Sequence, residues 1–130
     1  LFIYYNARVK DNNGSERNLS DSGCTLTSAI ESLEELGTCL ESVWPYDISK
    51  YNKRPTDEAY RQAKQHPITD ALRIKINLHD MKSCLAQGFP FAFGLILFQS
   101  FTPTNRSGVV SKPSALDLRQ GPIGGSVLFN

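Results

Sequence analysis

Few residues of this chain have the chemistry to act as more than packing. Cys24 stands directly before a helical pattern that starts near Thr25, where the helix dipole favours a thiolate. A nucleophilic role would require His66 or His79 as general base, and no local feature draws either towards Cys24. The residue therefore reads as a small side chain packed beneath a loop. Cys39 and Cys84 lie among apolar neighbours and read as core thiols. The two histidines have no cysteine or carboxylate at metal-ligand spacing, so they read as surface or capping groups, with no metal and no cofactor expected. Gly124-Gly125 reads either as a strand entry or as a point where a ligand backbone approaches closely.

The elements that would position these residues follow from periodicity and punctuation. Residues 1–9 are apolar and aromatic, open between a strand and the end of a buried helix. Asp11-Asn12-Asn13-Gly14-Ser15 is a turn. Leu26, Ala29, Ile30, Leu33 and Leu36 form one helical face that ends at Gly37. Thr56 caps a polar helix to about residue 65, with Tyr60 and Ala63 inward, and Pro67 ends it. Ile68, Leu72, Ile74 and Ile76 alternate as in a half-buried strand. Asn77 caps a short helix over Leu78, Met81 and Leu85 that stops at Gly88. Residues 89–98 read as a strand covered on both faces at the centre of a sheet, residues 107–120 as an extended loop, and residues 126–129 as a final strand. The expected core is Leu26, Leu33, Tyr46, Leu72, Phe91, Phe93 and Leu97.

At 130 residues the chain has the length of one domain. Leu, Ile, Val and Phe make up about a quarter of it, above the level at which chains tend towards disorder. A net charge of +1 without a basic cluster removes the main electrostatic argument for nucleic acid. The longest apolar run, about ten residues, is too short to span a bilayer. Three cysteines and no secretory start lead to the expectation of a reducing, intracellular compartment or a viral or other assembly context. Leu1 stands inside an apolar run and Asn130 follows another, so the expected domain, 1–130, is incomplete at both ends.

The segment Trp44-Pro45-Tyr46-Asp47 makes a family pattern visible. Together with Leu1-Phe2-Ile3-Tyr4-Tyr5-Asn6-Ala7-Arg8, Asp21-Ser22-Gly23-Cys24-Thr25-Leu26, Gly37-Thr38-Cys39 and Glu41-Ser42-Val43, it resembles the papain-like cysteine peptidases, in particular their compact bacterial and viral forms. The resemblance continues through Met81-Lys82-Ser83-Cys84-Leu85, Gly88-Phe89-Pro90-Phe91, Gln99-Ser100-Phe101, Gly108-Val109-Val110 and Gly124-Gly125.

The resemblance implies an α+β, two-lobe fold, one lobe helical and one a partly open antiparallel β-barrel, with a peptide in the cleft between them. It also implies three losses. The family's nucleophile segment would precede Leu1, Ser126 stands where the family has its catalytic His, and the orienting Asn would follow Asn130. A Ser hydroxyl cannot serve as general base near neutral pH, and losing one partner of the dyad costs several orders of magnitude in rate. No catalytic residue is therefore expected in this chain.

The substrate side is retained by the same resemblance. Gly23 and Cys24 match the strip whose backbone pairs with a peptide, Thr25 and Leu26 line the adjoining pocket, and Gly125 and Ser126 face them. The expected function is that of a non-catalytic peptide-binding or structural subunit, with a fragment of an active cysteine endopeptidase as the alternative. An apolar trough beside Leu26 and Phe91 is expected to demand a peptide or protein partner, self-association or a larger assembly.

Overall fold

The computed structural model describes residues 1–101 and 112–129, with the side chains of 126–129 outside that description. The chain forms two compact units, Leu1–Arg73 and Ile74–Asn130.

The first unit is built on helices. Helix α1 covers Phe2–Asp11, which resolves the ambiguity of the apolar N-terminal run in favour of a helix. Its inward residues Phe2, Tyr5 and Ala7 are buried, and Arg8 and Lys10 in its last turn match the helix dipole. The chain then reverses at Asn13 and Gly14, both in the left-handed region, as the Asn-Gly pair predicts. Helix α2, Leu26–Leu36, starts at Thr25, whose hydroxyl accepts from the Ser28 N–H, and ends at Gly37. Helix α3, Asp57–Ala63, is capped by Thr56 as expected.

Phe2, Ala59 and Ala63 form the centre of the core, with Leu36, Cys39, Val43, Trp44 and Tyr60 packed around them. One polar chain threads this core. The Tyr60 hydroxyl donates to Asn6 Oδ1 at 2.8 Å, and Asn6 Nδ2 donates to the Phe2 carbonyl at 2.9 Å, so the buried amide is satisfied at both ends.

In the second unit, Asn77 caps helix α4, Leu78–Ala86, by accepting from the Asp80 N–H at 2.8 Å. Strands β1, Ala92–Leu97, and β2, Gly124–Phe129, pair antiparallel from Ala92↔Phe129 to Leu97↔Gly124. Between them lies helix α5, Ala115–Gln120, held by a reciprocal capping box of Ser114 and Asp117. The mixture of helices with a small open antiparallel sheet is the α+β class expected.

Several expectations are corrected. Residues 68–76 form no strand: Leu72 and Ile76 are 83 % and 94 % exposed, because this stretch carries the boundary between the two units and meets no partner strand among the described residues. The apolar run at 89–98 is not a sheet centre, since among the described residues β1 pairs with β2 alone and Ile96 is exposed. Residues 115–120 are helical, where a loop was expected, because Ser114 and Asp117 supply the local cap; 102–111 lie outside the described residues, and with them Gly108-Val109-Val110.

The expected core also shifts. Tyr46 and Leu72 are exposed, and Leu26, Leu33, Phe91, Phe93 and Leu97 are only half-buried. On helix α2, Ala29 of the expected face is buried and Leu36 packs against the core, but Ser28 and Ser32 are buried beside them, and small side chains there allow α1 and α2 to approach closely. Among the described residues of the second unit only Asp117 is buried.

Candidate functional site

The strip at residues 21–26 is shaped by α1 and by the entry to α2. Gly23 has φ +83°, a conformation costly for any residue with a Cβ, and an added Cβ there would meet nothing within 4 Å. Gly23 is exposed and the space beside it is open. Cys24, Thr25 and Leu26 follow directly, with Thr25 as the cap of α2 and Leu26 half-buried in its first turn. These four sequence-predicted residues form one continuous surface segment.

Five further residues, to which sequence reasoning gives no role, hold this segment from behind. Tyr4 Oη donates to Asp21 Oδ1 at 2.5 Å and accepts from the Gly23 N–H at 3.2 Å. Arg8, 3 % exposed, donates to the Ser20 carbonyl and to Asn52 Oδ1, each at 2.8 Å, and also to the Tyr51 carbonyl. Asn52 donates in turn to the Leu19 carbonyl at 2.7 Å. The Arg8 guanidinium lies 4.3 Å from the centre of the Tyr4 ring, a cation–π contact that holds both side chains. Asp11 accepts from the Thr25 N–H at 2.8 Å and from the Ser28 hydroxyl at 2.5 Å. The available signal was the spacing of Tyr4, Arg8 and Asp11, steps of four and three that place all three on one stripe of α1.

A recess of about 150 Å³ lies against this loop, lined by Arg8, Asp11, Asn18, Ser20 and Gly23 among others. Its walls suit water or a small polar group.

The thiol of Cys24 is not activated. Burial raises its pKa, the Asp11 charge raises it further, and only Arg8 opposes them. Because Thr25 is the cap, Cys24 lies outside the helix and gains little from its dipole. Burial likewise raises Cys39, and Cys24, Cys39 and Cys84 are all free and partly buried. His66 is exposed, and His79 is exposed in the second unit beside Asp80.

Gly125 and Ser126 belong to β2, opposite Ile96 and Leu95 of β1; the Ser126 side chain lies outside the described residues. Among the described residues no group of His, Cys, Asp and Glu is placed to hold a metal ion, and no helix is long and apolar enough to cross a membrane.

No family model matches the chain. It is 32 % identical over 131 residues to an uncharacterized peptidase C1-like protein of Acanthamoeba polyphaga mimivirus, covering 93 % of this chain and 41 % of that protein. In structure it is similar to Xylellain, a cysteine protease from Xylella fastidiosa, with a TM-score of 0.76 and 30 % identity over 98 % of this chain and 50 % of that one. The resemblance to papain-like cysteine peptidases thus holds in sequence and in fold. The chain spans about half the length of the relatives it matches.

Proposed function

We propose that this chain is a non-catalytic, substrate-holding part of a papain-like peptidase scaffold, in which residues 23–26 bind an extended peptide or protein segment without cleaving it. The observation that carries the reading is the strip at Gly23, braced from α1, where a Cβ added to the glycine would meet nothing within 4 Å beyond its chain neighbours. An extended segment can lie along it as an added strand, and half-buried Leu26 beside it favours an apolar side chain over Lys or Arg. The raised pKa of Cys24 and the Ser126 at the position matching the family's His both speak against chemistry here.

With one apolar anchor and a few main-chain bonds, affinity is expected on the order of micromolar to millimolar. The test is a titration with short apolar and basic peptides followed by amide chemical shifts. Apolar peptides are expected to bind, Leu26→Arg to abolish binding and Cys24→Ser to leave it nearly unchanged. Preference for basic peptides, loss of binding in Cys24→Ser, or hydrolysis with covalent labelling by an epoxide-type peptidase inhibitor would overturn the reading.

The share of its relatives that the chain spans favours a second reading, as half of an active cysteine endopeptidase. Ser126 counts against it. A Gly-Ser-Cys segment encoded upstream of Leu1, with peptide hydrolysis by that longer chain, would establish the second reading over the first.

A further inference from the structure

Gly23 offers an arriving peptide one hydrogen-bonding group rather than two. Its N–H is already taken by Tyr4 Oη at 3.2 Å, while its carbonyl accepts no bond from the described residues. The Tyr4 hydroxyl is itself fixed, because it donates to Asp21 Oδ1 at 2.5 Å and its ring lies against the buried Arg8 guanidinium. Arg8 in turn is anchored on the Ser20 carbonyl and Asn52, so the latch is part of the loop's own bracing.

We infer that Tyr4 is a specificity-determining residue that makes the Gly23 strip read the N–H of a bound peptide and not its carbonyl. This rests on the peptide-holding reading above. A peptide N–H meets an acceptor in the Gly23 carbonyl that no described residue occupies, and gains the modest net contribution of a hydrogen bond formed in place of water. A peptide carbonyl reaches the Gly23 N–H only by displacing the Tyr4 hydroxyl, which exchanges one hydrogen bond for another with little net gain. The strip therefore accepts segments whose paired residue carries an N–H, rejects proline there, and tolerates a weakened carbonyl.

The experiment uses an apolar peptide and two analogues, one with an ester in place of the paired residue's N–H and one with a thioamide in place of its carbonyl. Each is titrated against the wild-type chain and Tyr4→Phe, with exchange of the Gly23 amide followed in parallel. For the wild type, the ester is expected to cost about three- to tenfold in affinity and the thioamide less than about twofold. Tyr4→Phe is expected to bind the parent peptide about three- to tenfold more tightly, to become sensitive to the thioamide, and to lose protection of the Gly23 amide. Equal losses for ester and thioamide in the wild type overturn the inference, as does an unprotected Gly23 amide or an unchanged parent affinity in Tyr4→Phe. The two wild-type analogues decide the matter even if Tyr4→Phe does not fold. Absence of binding to either protein overturns the peptide-holding reading itself, whereas binding without the expected preference overturns only the role of Tyr4.

Discussion

The Ser28 hydroxyl in the first turn of α2 donates to Asp11 Oδ1 at 2.5 Å, so the residue that ends α1 also serves the N-terminus of the next helix. A carboxylate at a helix C-terminus is electrostatically misplaced, yet here it faces the positive end of α2 and accepts from the Thr25 N–H as well. One side chain thus joins the two helices and sets where the strip at Gly23 must pass.

That bond gives a pH dependence. The Ser28 hydroxyl, then the Thr25 N–H and hydroxyl, hold the Asp11 carboxyl below its ordinary value, against the opposing effect of burial. A carboxyl with a lowered folded pKa stabilises the fold above its unfolded value of about 4 and loses that contribution as pH falls through the folded value. Wild type is therefore expected to melt above Asp11→Asn at neutral pH, with the gap constant down to about pH 5 and closing below about pH 4. Melting curves of both chains across this range check it; a gap that widens in acid would refute it.

Cys24 should be a slow thiol. Burial raises its pKa first and the Asp11 charge second, so at neutral pH it is almost wholly protonated. Alkylation by iodoacetamide, read by mass spectrometry, is expected to be slower than for a small free thiol and to rise with pH through the alkaline range. Asp11→Asn removes one of the two raising influences and should speed the reaction at mildly alkaline pH. Rapid labelling of wild type at neutral pH would show an activated thiolate and contradict the environment described.

Gly37 and Gly14 both have positive φ but differ in what surrounds them. A Cβ on Gly37 would lie 2.0 Å from the Ala63 carbonyl oxygen and 2.8 Å from that of His66, whereas one on Gly14 meets nothing within 4 Å. Gly37→Ala combines backbone strain with a backbone clash and should cost on the order of 3 kcal/mol or more. Gly14→Ala pays for the left-handed conformation alone, about 1 kcal/mol. Urea unfolding of the first unit, followed by the fluorescence of Trp44, the single tryptophan, measures both.

What the sequence made legible was chemistry that acts within a few residues. Thr25, Thr56 and Asn77 each accept from an N–H three positions on, so the starts of α2, α3 and α4 are readable without any tertiary knowledge. Ser114 and Asp117 give the same kind of signal, but it is masked by the polar, proline-containing composition around α5. Alternation at 68–76 misled because a strand exists only where a partner strand does. The apolar run at 89–98 does form β1, but with β2 as its one partner among the described residues, so its expected place at a sheet centre fails. At the site, Gly23 became visible only through the family resemblance, and its partner Tyr4 is 19 positions away on another element.

The displaced face of α2 yields the last prediction. By apolar spacing Leu26 and Leu33 should point inward with Ala29, but Ala29 is buried between Ser28 and Ser32 while the two leucines are only half-buried. Ser32 is 3 % exposed and its hydroxyl donates only to the Ser28 carbonyl of its own helix, at 2.6 Å. The hydroxyl therefore matters less than the small volume, which allows α1 and α2 to approach. Ser32→Ala keeps the volume and should change stability by less than about 1 kcal/mol. Ser32→Leu forces the helices apart and should cost about 1–3 kcal/mol, more than truncating half-buried Leu33 to Ala. If α2 instead buried its leucine face, Ser32→Leu would be harmless and Leu33→Ala the damaging change, so denaturation of these three variants decides which face of the helix meets α1.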